Sequence, residues 1–205
     1  MPAVHNHQSM VMGSASQRPH RWLGVVLVAL LASCCATTTR FTAADTAAVD
    51  RLLGLIGERL EVAPDVARVK WNTNAPIEDV SRERAIIEGV ARRGAEYGLD
   101  SAIAGSFFLG QIEASKTVQT ALHAEWRASR QPPFANVRDL DQDIRPMLDR
   151  LTPMMLRALV DALPVIQRQG GRELLDTRNK AVLAESPGGT TAVRQAVAPL
   201  RLLSR

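Results

Sequence analysis

From Ala43 onward, apolar residues recur at spacings of three and four, the signature of helices with one buried face, and no stretch shows the strict alternation of a half-buried strand. Val49, Leu52, Leu53, Ile56 and Leu60 predict a first helix over about 43–60. Pro64, which lacks an amide hydrogen, predicts a kink or restart. A short helix over 64–71 then ends in the polar turn Asn72-Thr73-Asn74-Ala75-Pro76. Ile86, Ile87, Val90, Ala91, Gly94 and Tyr97 trace the next helix, beginning near Asp79, with Gly98 placed to close it in a left-handed cap. Asp100 or Ser101 can cap a long helix over 100–130, whose apolar side carries Ile103, Phe107, Phe108, Ile112, Leu122 and Trp126 and which stops before Pro132-Pro133.

In the last third, Pro146 and the pair Thr152-Pro153 read as helix starts, with Thr152 as cap and Pro153 at the first helical position of an apolar helix over 154–167. Gly170-Gly171 and Ser186-Pro187-Gly188-Gly189 set off two shorter helices, about 172–184 and 190–203. The pattern therefore predicts an all-α helical bundle in one domain, as a chain of 205 residues allows. The C-terminal helices are expected to cover a core that a second subunit would otherwise bury.

Residues 1–35 have a different character. A polar, Arg-containing start, the apolar run Leu23–Leu31 and the small residues Ala32, Ser33 and Cys34 make an export signal, because the run is about half of the ~20 residues a membrane span needs. Leu31-Ala32-Ser33-Cys34 also resembles the bacterial lipobox, in which the cysteine is acylated. Ordinary cleavage a residue or two later is the alternative, and the linker 36–42, with Thr37-Thr38-Thr39, fits both. Either way the helical domain 43–205 is expected outside the cytoplasm, periplasmic or secreted.

Charge and reactive residues narrow the chemistry. The chain holds 25 basic and 21 acidic residues, and without the leader's Arg18 and Arg21 the balance is nearly even, which argues against a nucleic-acid partner. Cys34 and Cys35 are sequence neighbours and cannot staple the fold. Beyond the leader the only histidine is His123, expected at the surface or an interface of its helix, so a His or Cys metal site and a serine-histidine triad both lack their parts. Trp71, Phe107 and Phe108 read as core, and Arg92-Arg93 as a solvated helix face.

What remains is a set of polar residues at helical spacing. Asp79, Arg82 and Glu83 stand at i, i+3 and i+4, so a helix starting near Asp79 presents all three to one side, with N-capping as the other reading of Asp79. Gln111, Ser115 and Gln119 form an i, i+4, i+8 row on the long helix. With Arg59 and Lys70 upstream, these residue types suit a small dianion.

The stretch from Arg59 to Trp126, less than half of the chain, resembles the all-helical chorismate mutases, particularly their secreted subclass. Arg59, Lys70, Asp79, Arg82, Glu83, Ser115 and Gln119 fall in register with that family's pattern without a gap. The match covers 43–130; residues 131–205 form a helical extension beyond it. The resemblance implies a cofactor-free, pericyclic rearrangement of chorismate to prephenate, which needs a held conformer and donors at the ether oxygen and no nucleophile. It implies that Arg59 and Arg82 hold carboxylates, that Ser115 adds a hydroxyl contact, that Lys70 and Gln119 converge on the ether oxygen, and that Glu83, helped by Asp79, accepts from the ring hydroxyl. Secreted relatives draw another arginine from a later segment; Arg145 is the candidate, with Arg138 and Arg150 as competitors.

Two rivals stand beside this reading. One is an isochorismate-pyruvate lyase of the same fold. The other is a noncatalytic exported helical protein of the envelope. The expected partners are the small-molecule substrate chorismate, a membrane only through a lipid anchor at Cys34, and a second copy of the chain as a candidate homodimer.

Overall fold

In the computed structural model, which describes residues 40–205, most of the described residues lie in six α-helices: α1 Ala43–Thr73, α2 Val80–Glu96, α3 Ser101–Ala128, α4 Arg145–Ile166, α5 Gly171–Val182 and α6 Gly189–Leu203. A π-helical turn, Leu140–Ile144, leads into α4. The export signal, Cys34 and all but the last residues of the 36–42 linker lie outside the described residues. No helix among the described residues is long and apolar enough to cross a membrane.

Local chemistry sets the helix ends. Thr42 opens α1 with a capping box: Asp45 N donates to Thr42 Oγ1 at 3.1 Å while Thr42 N donates to Asp45 Oδ2 at 2.8 Å. Asp100 caps α3, accepting from Ala102 N at 2.7 Å and Ile103 N at 3.2 Å. Gly98, at φ +75°, turns the chain out of α2, and Leu99 N donates back to Gly94 O at 2.9 Å.

Two expectations about helix boundaries are overturned. α1 runs unbroken through Pro64, so the separate helices over 43–60 and 64–71 are one helix of 31 residues. The proline removes one ladder bond, but its flanks Leu60, Val62, Ala63 and Ala67 are buried on both sides of it, and that burial outweighs a local cost of about 3 kcal/mol. Likewise Thr152-Pro153 lies inside α4, which begins at Arg145 with Pro146 in its first turn. Thr152 Oγ1 donates to Leu148 O at 2.9 Å instead of capping, and the buried stripe Leu151, Met155, Leu156, Leu159 continues across Pro153.

The helices α1, α3 and α4 enclose the core. α4 and α5 pack on α1, α6 packs along α3, and α2 packs mainly on α3. Phe107 and Phe108 are fully buried and meet edge to face, 5.4 Å between centroids. α6 approaches α3 closely because a Cβ at Gly110 would lie 2.8 Å from Pro199 Cγ. His123 is not at the surface: it is buried, with Nε2 2.9 Å from Ala67 O and Trp71 and Trp126 packed around the ring.

Candidate active site

α2 leans on α3 and leaves a cleft toward α1 and α4, a cavity of about 580 Å³ lined by residues of all four helices. α1 supplies Arg59 and Lys70, three turns apart; α2 supplies Asp79 at its cap, Arg82 and Glu83; α3 supplies Ser115 and Gln119; and Arg145 reaches in from the start of α4. The seven residues in register with the family pattern, and Arg145 with them, thus line one cavity. The competitors of Arg145 do not: Arg138 pairs with Asp65 at 3.0 Å, and Arg150 is outside the lining.

Arg59 is buried, 7 % exposed, and its Nε has no hydrogen-bond partner. Burial pushes its pKa down to about 10, with the Asp149 carboxylate opposing, so the guanidinium stays charged at neutral pH. Lys70 Nζ donates to Ile77 O at 2.5 Å, which anchors the ammonium across the turn between α1 and α2 and leaves two of its three hydrogens free. Burial lowers its pKa from the usual value; Asp79 and Glu83 oppose that shift and Lys116 reinforces it.

The first turn of α2 serves two purposes. Asp79 is the N-cap, accepting from Arg82 N at 3.0 Å and from Ser81 Oγ at 2.9 Å, and these contacts, the backbone one first, hold its carboxyl below the usual range. Glu83 Oε1 accepts from Asp79 N at 3.2 Å, which turns the carboxylate back over the helix start.

On α3 the row read from the sequence divides. Gln119 is buried, and its Nε2 donates to Ser115 Oγ at 3.1 Å. Gln111 is also buried but faces α6, donating to Ala196 O at 2.8 Å, and takes no part in the cavity. The cavity face of α3 is Ile112, Ser115, Lys116 and Gln119, at i, i+3, i+4 and i+7.

That spacing would have exposed Lys116, which sequence reasoning missed. Its ammonium lies 3.1 Å from Glu83 Oε2 and 2.7 Å from Glu113 Oε1. Arg92 and Arg93 are exposed as expected but also line the cavity, together with Glu96 and Asp149. Seven cationic side chains face four carboxylates there, an excess of positive charge suited to a dianion.

Arg145 is aimed by the π-helical turn. Asp139 accepts from Asp141 N and Gln142 N at 2.8 and 2.7 Å, Ile144 is buried, and Arg145 pairs with Asp141. Such one-turn π segments recur at functional sites.

Comparison with known proteins accords with this geometry. The family model described as chorismate mutase type II matches residues 45–120. The chain is 27% identical over 155 residues to a secreted chorismate mutase of Mycolicibacterium smegmatis, covering 76% of this chain and 85% of that protein. Crystal structures of chorismate mutases superpose with TM-scores of 0.72 for the Burkholderia phymatum protein, at 31% identity, and 0.70 for that of Burkholderia thailandensis, at 34% identity. The overlap spans 77% and 75% of this chain and 98% of each of theirs. With six helices in this arrangement and identities above 30% across nearly the whole of two such structures, the chain belongs to the chorismate mutase type II family.

Proposed function

We propose that the protein is a chorismate mutase that converts chorismate to prephenate within the cavity between α1, α2, α3 and α4. The observation that carries this reading is the convergence of Arg59, Lys70, Arg82, Glu83, Ser115, Gln119 and Arg145 from four helices on one cavity. The reaction breaks a C–O bond and forms a C–C bond within one molecule, so no proton, nucleophile or cofactor is needed. Rate comes from two sources: holding the compact conformer in which the reacting carbons meet, and stabilising the charge that grows on the ether oxygen.

Arg59, Arg82 and Arg145 are assigned the substrate's two carboxylates, with Ser115 adding a hydroxyl contact. Planar guanidinium forks suit carboxylates better than an ammonium does. Lys70 and Gln119 are assigned the ether oxygen: Lys70 has donors beyond the one on Ile77 O, and the Gln119 amide has a second hydrogen beyond the one on Ser115 Oγ. Glu83 accepts from the ring hydroxyl. Asp79 supports it through its backbone amide and caps the helix that carries it. One chain supplies every group named, so the site is proposed to be complete in a single subunit, and a homodimer would leave it unchanged.

We also propose that the domain is exported by residues 1–35, with Cys34 either acylated or lost by cleavage. Support comes from the leader's composition and from the secreted mutase of Mycolicibacterium smegmatis among the similar proteins. The catalytic reading is tested by incubating the purified protein separately with chorismate and isochorismate. Loss of chorismate absorbance with prephenate appearing is the expected result. Pyruvate release from isochorismate without prephenate formation would make the protein a lyase of the same fold, and inertness toward both would remove the enzymatic reading.

A further inference from the structure

Lys116 stands beside Ser115 on the cavity face of α3, and three carboxylates surround its ammonium: Glu113 on its own helix at 2.7 Å, Glu83 on α2 at 3.1 Å and Glu78 in the preceding loop at 3.7 Å. The Lys116 and Glu83 side chains are only 17% and 19% exposed, so the pair is shielded from the solvent and salt that make surface ion pairs nearly worthless. Burial by itself would lower the lysine's pKa; its hydrogen bonds to Glu113 and Glu83 outweigh that and leave it raised, so the ammonium persists at neutral pH.

A glutamate carboxylate on three rotatable bonds is a poor reader of a single hydroxyl unless something holds it. Here both oxygens are held, Oε1 by Asp79 N at 3.2 Å and Oε2 by Lys116 Nζ at 3.1 Å. Each carboxylate oxygen has two acceptor sites, so one on each remains for a ligand. The tether therefore fixes the direction of the remaining lone pairs without using them up.

We infer that Lys116 is a positioning residue that aims Glu83 at the ring hydroxyl and thereby sets selectivity for substrates that carry it. The inference rests on the mutase reading and on Glu83 as the hydroxyl acceptor. It makes Lys116 more than a clamp between α2 and α3: a clamp would affect every ligand of the cavity alike, whereas an aiming group affects ligands bearing the hydroxyl most.

The test uses the purified protein, chorismate, and an analogue in which hydrogen replaces the ring hydroxyl. In Lys116→Met, KM for chorismate should rise roughly tenfold, the size of one misdirected hydrogen bond to a charged group. The inhibition constant of the analogue, which feels the lost positive charge but has no hydroxyl for Glu83 to read, should rise far less. Lys116→Arg, which keeps a cation within reach of Glu83, should recover most of the loss. Circular dichroism checks the fold of each variant, and if Lys116→Met unfolds, Lys116→Gln is read by the same two constants. Equal weakening of chorismate and analogue would reduce Lys116 to a clamp, and an unmoved KM would overturn the inference outright. Inactive wild-type protein would instead overturn the mutase reading, and it would be seen before any substitution is made.

Discussion

Two glutamines on α3 divide the molecule's polar interior into two regions. Gln111 and Gln119 are both buried, 1% and 4% exposed, and both carry an Oε1 without a hydrogen-bond partner. Eight residues apart, they point about 80° away from one another around the helix. Gln111 reaches a backbone carbonyl of another helix, Ala196 O, and ties α6 to α3. Gln119 reaches only Ser115, one turn back on its own helix, and otherwise faces the cavity. Partners on a second element mark a residue that holds the fold; a buried polar group whose capacity stays within its own helix, beside other cations, marks one held for a ligand. Arg59 belongs with Gln119 by the same criterion, and Arg178, paired twice with Asp50 between α5 and α1, belongs with Gln111.

The largest effect that would break this division is expected at Arg59. Burying a guanidinium with an unpartnered Nε costs stability, a cost that the Asp149 carboxylate offsets in part and that, on the proposed assignment, a substrate carboxylate offsets further. Arg59→Met should therefore lower kcat/KM on the order of 10²-fold or more while leaving the melting temperature unchanged or higher. Kinetics of the purified variant, with a thermal melt beside them, check both halves. Intact activity with a collapsed melt would move Arg59 into the structural region.

How far the sequence disclosed all this follows from the range over which each signal acts. The all-α class, the Asp100 cap and the Gly98 turn were legible because hydrophobic period and capping are local. The merging of two expected helices through Pro64 was not, since the decision lies with burial of Ala63 and Ala67 against distant helices. On the cavity side, Arg59, Lys70, Arg82, Glu83, Ser115 and Gln119 were nominated by family register and do meet at one cavity. The reading erred where a straight i, i+4, i+8 row drifted around α3, taking Gln111 for a neighbour of Gln119 and passing over Lys116. Of the two places open to His123, surface or helix interface, it takes the interface with α1, and nothing in its own helix announces the Ala67 carbonyl 2.9 Å from its ring.

A smaller, pH-dependent effect sharpens the cavity side. The Gln119 amide donates at any pH, whereas a glutamate at that position donates only while protonated. In Gln119→Glu, kcat/KM should fall as pH rises through the new carboxyl's pKa, because the lost proton removes the donor and leaves negative charge facing an oxygen that is becoming negative. Wild-type activity should vary little from mildly acidic to neutral pH. Profiles of kcat/KM for both proteins, with circular dichroism across the range, make the comparison. Parallel profiles would mean that Gln119 does not touch the breaking bond.

The smallest effect belongs to the structural side. Gln111→Leu keeps nearly the same volume, removes the donor to Ala196 O, and also removes the partnerless Oε1, so a loss and a gain nearly cancel. The net cost should be about 1 kcal/mol or less, a fall in melting temperature of about 2–4 °C for a chain of this length. kcat/KM should remain within about twofold of wild type, since the residue lies outside the cavity and on another face of α3. The same change at Gln119 removes a donor from the cavity and should spare the melt while suppressing turnover. Thermal melts and steady-state kinetics of the two leucine variants, measured together, therefore decide the division at its weakest point. If Gln111→Leu slows turnover as much as Gln119→Leu, α3 acts as one unit and the separation of a holding face from a binding face is lost.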